Sequence, residues 1–292
     1  MQKAVLVTGG AGFIGSHLCE VLTAEPANQV WSLDDYSTGS VKNHIPGVKY
    51  LKGNTCDIGE LVDFPIDVIY HLGEYSRVEQ SFRDFDTVWS SNVAGTFAVL
   101  EFCRRHHCRL IYAGSSTKFG DNGAGPSQSP YGWTKARNTE LVKSYGHWFS
   151  LDYAIAYFYN AYGPREITDG DYATLIGLFC KKMRCSEPLG VVSPGSQQRN
   201  FTHVSDIVAG LKLVGEHGEG DGYGIGHPDS YTVMDIAKMF GGQIEMLPPR
   251  PGNRLSASLI TEKTMGLGWS AKREIGDYIE ALRESGFKSE LS

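Results

Sequence analysis

The sequence predicts an α/β protein: a Rossmann-type doubly wound parallel sheet with a smaller, discontinuous C-terminal lobe. Three observations carry this. Short β-branched runs alternate with longer helical patterns through the first half, as strands joined by crossover helices do. The first apolar run passes straight into a glycine-rich turn and then a helical pattern. Beyond about residue 160 the pattern becomes irregular, with Pro, Gly and Asp clustered at 163–170, 186–194 and 218–229. The expected organisation is a dinucleotide-binding domain over 1–160, with returns near 200–226, and a smaller lobe mainly over 161–292. That lobe would cap the carboxyl ends of the strands, where open parallel sheets bind ligands.

Strands are expected at 4–8, 30–33, 48–51, 67–71, 109–113 and 152–156, each a short apolar or β-branched run. Helices are expected at 14–22, 82–106 and 131–148. The second reads as one long helix, with Val88, Val93, Phe97, Leu100 and Cys103 near helical spacing. The third opens after Ser129-Pro130, a capping hydroxyl followed by a residue suited to the first helical turn.

At 292 residues, 41% hydrophobic and 21% charged, the chain can bury a large core. A net charge of −6 and the lack of any Lys/Arg-rich run argue against a nucleic-acid partner. No segment approaches the roughly 18 apolar residues of a membrane span, and the N-terminus lacks signal-peptide features. A cytoplasmic location is expected. The six cysteines are scattered. Cys103 and Cys108 with His106 and His107 between, and Cys180 with Cys185, do not match structural zinc spacing, so no metal is expected.

Gly9, Gly12 and Gly15 fall three apart between the first strand and the first helix. Glycine serves where a turn needs positive φ and where backbone must approach a pyrophosphate; the helix start then offers free N–H groups to that anion. Asp34 follows Gly15 by 19 residues at the end of the next strand, where a carboxylate binds ribose hydroxyls and repels a 2′-phosphate. NAD is therefore the expected cofactor. Asp57, after the third strand, reads equally as an adenine contact or a helix cap.

Tyr131 and Lys135 are four apart and share a helix face. Oxidising a carbinol requires a base for its proton, and a free phenol, with a pKa of about 10, needs a nearby cation to serve. Ser115, at the end of the fifth strand, places a hydroxyl at the same cleft.

With these motifs the sequence resembles the extended short-chain dehydrogenase/reductase family, in its NAD-dependent epimerase/dehydratase group. The resemblance spans nearly the whole chain. It is carried by Thr8–Gly15, Leu33–Gly39, His71-Leu-Gly, Asn92–Thr96, Ser115–Gly120, Ser129–Lys135, Phe158–Arg165, Arg199–Asp206 and Arg250–Asn253, in that order. It implies Tyr131 as base, Lys135 as its partner and ribose ligand, and Ser115 as the third catalytic residue. It implies a cofactor set of Gly9, Gly12, Phe13, Ile14, Gly15, Asp34, Asp35, Asp57, Ile58, Leu72 and Lys135. Ser116, Thr117, Asn160, Arg199 and Arg250 would meet a nucleotide-diphosphate sugar, with UDP favoured and the two arginines on the diphosphate. A homodimer through the helices at 82–106 and 131–148 is likewise implied.

The expected reaction is 4-epimerisation through a transient 4-keto sugar. The alternatives are a 4,6-dehydratase, a 4-keto reductase, or a non-catalytic NAD-binding sensor. Dehydratases of the family carry an Asp-Glu pair where this chain has Ser116 and Thr117, which disfavours elimination. Further departures are Asn253 for Asp, Asp35 for a frequent Asn, and Glu74 where a small residue is common. Ala257, where related epimerases gate the C2 substituent, is expected to leave room for an N-acetyl group.

Overall fold

A computed structural model describes residues 2–287. Seven strands form one sheet: β1 (Lys3–Thr8), β2 (Asn28–Asp34), β3 (Lys49–Lys52), β4 (Val68–His71), β5 (Arg109–Ser115), β6 (Tyr153–Phe158) and a last strand, Gly220–Ile225. Their spatial order is Gly220–Ile225, β6, β5, β4, β1, β2, β3. Every pairing is parallel. β1 lies between β2 and β4, so the winding reverses there and a crevice opens at the carboxyl ends of β1 and β4. Register aligns Thr8 with both Leu33 and His71, which brings Gly9, Asp34 and Leu72 to one rim.

Alternation along the strands divides the core. Leu6, Ile69, Leu110 and Ile155 pack on one face, and Val5, Val7, Val68 and Ile111 on the other. Helix Phe13–Thr23 and helix Val204–His217 cover the second face together through Leu18, Leu22, Ile207 and Leu211. The chain beyond residue 160 also builds a core of its own, with Tyr162, Phe179, Leu189, Phe240 and Ile279 at its centre. Among the described residues no helix is long and apolar enough to cross a membrane.

The single helix expected over 82–106 is instead a broken sequence. A 3-10 turn, Gln80–Phe82, is followed by a short α-helix, Phe85–Val88, a π-helical stretch, Trp89–Ala94, and an α-helix, Gly95–His106. The wide turn has a physical use. It releases the Asn92 carbonyl to accept from Asn138 Nδ2 (2.7 Å) and turns the Asn92 amide onto the Tyr75 backbone (2.7 and 3.1 Å). Apolar spacing alone does not register such an insertion. Helix Pro130–Phe149 begins as expected, the Ser129 hydroxyl accepting from Gly132 N at 3.0 Å.

Candidate active site

A cleft of about 930 Å³ runs along the strand ends, from Gly9–Gly15 past Ser115, Tyr131 and Lys135 to Arg199 and Arg250. That volume is at the upper end for ligand sites and suits two extended ligands meeting end to end.

At one end the glycines are dictated by contact. Gly9 has φ +74, and a Cβ on it would sit 2.9 Å from the Gly73 Cα. A Cβ on Gly15 would lie 2.0 Å from the Gly9 carbonyl oxygen. The turn is thus closed to side chains, and the first N–H groups of helix Phe13–Thr23 face the cleft. Asp34 is buried and accepts from Ala11 N (2.9 Å) and Tyr36 N (2.8 Å). Burial pushes its carboxyl above the ordinary range, an effect the two N–H groups partly offset. This narrow cradle with a carboxylate at the second strand end fits an NAD adenosine and pyrophosphate. Asp35 and Leu72 also line the cleft.

Asp57 and Ile58 do not. Asn54 caps the turn Thr55–Asp57 by accepting from Cys56 N (2.9 Å), which leaves Asp57 exposed and Ile58 buried in the core. The cleft wall there is Gly53, Asn54 and Thr55 instead.

At the middle of the cleft, Tyr131 Oη donates to Ser115 Oγ at 3.1 Å, and Ser115 donates onward to Thr117 Oγ1 at 2.9 Å. Lys135 is buried, with Nζ 4.6 Å from the centre of the Tyr112 ring. Its ammonium donates to the Ala113 carbonyl and to Glu74. The Glu74 side chain is only 3% exposed and also accepts from Thr96 (2.9 Å), Tyr112 (3.1 Å) and Asn138 (2.9 Å). Burial pushes the Glu74 carboxyl up, and Lys135, His71 and the donors outweigh it, leaving the group below its ordinary value.

The substrate end holds more cations than the sequence reading foresaw. Arg254 donates to Ser116 Oγ (3.1 Å) and Thr117 Oγ1 (3.3 Å), beside the Tyr131–Ser115 pair. Arg77 reaches across to the Tyr172 carbonyl (2.9 Å from Nε). Burial lowers both guanidinium groups from their usual value. Arg254 is the residue directly after the Arg250–Asn253 motif, and only the end of that motif hid it. Arg77 follows the departure at Glu74 by three residues, with no pattern to mark it.

The two expected diphosphate ligands differ. Arg199 donates to Asn253 Oδ1 (3.0 Å) and to backbone carbonyls, so the Asn-for-Asp departure leaves its charge without a carboxylate partner. Burial, then repulsion from Arg254, lowers it to about 10. Arg250 is paired with Glu79 at 2.7 Å, both side chains partly exposed. Asn160 lines the cleft at φ +29 with a buried, unpartnered Oδ1. Ala257 does not line it. It pairs with Gly120 across an isolated bridge and packs on the core near Phe119.

Among the described residues, His227, Asp229 and Glu274 could be read as a metal cluster. The imidazole is already engaged, Nδ1 accepting from Asp229 N (3.1 Å) and Nε2 lying 3.1 Å from Glu274.

Residues 5–226 match the model of the NAD dependent epimerase/dehydratase family, and the chain belongs to that family. NAD is its cofactor. An uncharacterised UDP-glucose epimerase of Bacillus subtilis (strain 168) is 31% identical over 258 residues, 80% of each chain. UDP-glucuronic acid decarboxylase 6 of Arabidopsis thaliana is 29% identical, over 96% of this chain and 88% of the relative. The crystal structure of the UDP-glucose 4-epimerase of Thermus thermophilus in complex with NAD superposes with a TM-score of 0.86 at 26% identity, over 99% of this chain and 100% of the other. The protein is an NAD-dependent enzyme of the nucleotide-sugar-modifying kind.

Proposed function

We propose that this chain is an epimerase of nucleotide-diphosphate sugars, UDP-sugars favoured, that inverts C4 through a transient 4-keto sugar. The observation that carries the reading is the Tyr131–Ser115 hydrogen bond in the cleft, combined with hydroxyls in place of carboxylates at positions 116 and 117. NAD, when bound, supplies an acceptor for two electrons and returns them to the same carbon. Tyr131 takes the proton of the sugar hydroxyl and Ser115 holds the reacting oxygen while charge moves between them. Lys135 keeps the phenol and the cofactor ribose in place. Arg199 and Arg250 hold the diphosphate, Asn160 meets its oxygens, and Ser116 and Thr117 contact the sugar. A 4,6-elimination would need an acid and a base at positions 116 and 117, where only hydroxyls stand.

In this reading residues 1–160, with the returns near 200–226, bind the cofactor, and the rest of 161–292 binds the nucleotide sugar. A homodimer is part of the proposal, supported by the exposed aromatics Phe85, Trp89, Phe97, Trp133 and Trp148 on the two helical segments expected to meet a partner.

Proton NMR and mass spectrometry of products from UDP-, dTDP- and GDP-sugars test the reaction. A product of unchanged mass with inverted C4 is expected. Tyr131→Phe should lower turnover by at least about 10²-fold with NAD still bound. Loss of water, net cofactor consumption, or full activity of that variant would overturn the proposal.

A further inference from the structure

Arg254 stands at a cluster of hydroxyls that has donors left over. Tyr131 Oη donates to Ser115 Oγ, and Ser115 donates to Thr117 Oγ1. Thr117 Oγ1 also accepts from Arg254 (3.3 Å), so both its lone pairs are taken and its own hydrogen is left for another acceptor. Ser116 Oγ accepts from Arg254 at 3.1 Å, and its hydrogen is likewise left over. The two residues are buried, at 5% and 8% exposure, and neither hydroxyl donates to an acceptor among the described residues. Buried donors without acceptors are costly, so a ligand group that fits here is an acceptor.

No carboxylate answers the Arg254 charge. Asp121 is nearby, but it accepts from Leu255 N (2.9 Å), Ser256 N (3.1 Å) and Gln128 Nε2 (3.0 Å). Glu79 is paired with Arg250, and Glu74 with Lys135. A second cation, Arg77, faces the same part of the cleft, and the charges of Arg77 and Arg254 both act on the Tyr131 phenol. The N–H groups of Arg77 are spent on the Tyr172 carbonyl and on Ser76, so it contributes charge rather than a contact. In the proposed function Arg199 and Arg250 take up the diphosphate. The remaining positive charge then lies at the sugar, beside the residues that hold its reacting hydroxyl. A sugar hydroxyl offers one neutral oxygen there. A carboxylate offers two oxygens, lone pairs for each donor, and the missing charge.

We propose that the sugar carries a carboxylate next to its reacting carbon, gripped by Arg254, Ser116 and Thr117, with Arg77 supplying further positive charge. This deepens the reading above and rests on Tyr131 and Ser115 holding the hydroxyl at C4. Two substituents flank that carbon. The acid is therefore either the exocyclic C6 of a hexuronic acid or a carboxylate carried on an ether at O3. Arg254 is a specificity-determining residue for it.

The test is calorimetric titration of the NAD-loaded enzyme with pairs of nucleotide sugars that differ by the acid-bearing group alone. UDP-glucuronic acid against UDP-glucose reads a carboxylate at C6. UDP-N-acetylmuramic acid against UDP-N-acetylglucosamine reads one at O3. In one pair the acid should bind about tenfold to a hundredfold more tightly, the range for a charged hydrogen-bonding contact. In Arg254→Leu that ratio should fall to about one. In Arg254→Lys it should fall only part of the way, since the charge stays and the planar fork is lost. A merely structural role for Arg254 would weaken acid and neutral sugars alike and leave the ratio standing, and that result overturns the proposal. So does a wild-type enzyme that binds neither acid better than its neutral counterpart, a result that needs no variant to fold. If an acid is preferred but no sugar is epimerised, the acidic subsite stands and it is the reaction proposed above that fails.

Discussion

The two walls of the cleft treat charge in opposite ways. On the β4–β5 side, Lys135 is matched by Glu74, and a closed set of donors runs back through Thr96 and His71 to Thr8. On the facing side, Arg77, Arg199 and Arg254 are half-buried against hydroxyls and carbonyls, with no carboxylate in bonding range among the described residues. Burying a cation without a counter-charge is costly unless a ligand supplies one. One wall is therefore complete in the free protein, and in the proposed function an anionic substrate completes the other. This is the arrangement that a nucleotide diphosphate would need.

The sharpest way to break this contrast is at Arg254. Arg254→Leu should lower kcat/KM by about tenfold to a hundredfold, the range for losing a charged hydrogen-bonding contact, with NAD affinity unchanged. A loss of NAD binding instead would place Arg254 in the cofactor half. A smaller effect is expected at the exposed Arg250–Glu79 pair. If Arg250 holds the diphosphate as proposed, that pair, worth about 0–1 kcal/mol, competes for its guanidinium, so Glu79→Gln should tighten UDP binding by no more than a few-fold. Calorimetric titration with UDP reads this directly, and weaker binding would show that Glu79 contacts the nucleotide itself.

Two buried groups outside the catalytic set should also differ in their response to pH. His71 is held down to about 4, first by burial, so its contribution is intact above the unfolded-state value near 6.5 and is lost as pH falls toward 4. Glu166, in the segment between β6 and helix Leu175–Arg184, is buried beside Thr174 and raised to about 7 by burial. Its folded form holds a proton that the unfolded chain has released, so its contribution is present below about 4.5 and is lost as pH rises through 7. Relative to Glu166→Gln, wild-type Tm should fall between pH 5 and pH 8 by a few degrees. A constant difference across that range would mean the Glu166 carboxyl is not held protonated.

How much of this was legible in the sequence depends on how far apart the interacting residues lie. The glycine turn, Asp34 and the Tyr131–Lys135 face are local patterns, and the fold class they imply is the one observed; the seventh strand, Gly220–Ile225, was not among the six expected. Glu74 was visible as a departure, but its partner lies 61 residues away, and no spacing rule joins them. Arg254 became a site residue only when the segment after Asn253 folded onto Ser116 and Thr117. Asp57 and Ile58 lie just past a turn capped by Asn54, and it is Gly53, Asn54 and Thr55 that line the cleft there. The π-helical stretch at Trp89–Ala94 stayed hidden because its inserted residue serves a hydrogen bond to Asn138, which apolar periodicity does not report.

The account stands or falls on oxidation and reduction occurring at one carbon of the sugar. The direct measurement is turnover of a UDP-sugar deuterated at C4, in ordinary water, followed by NMR of the product. Inverted C4 with the deuterium retained at that carbon is the predicted result. Deuterium lost to solvent, or carried to another carbon, would contradict it.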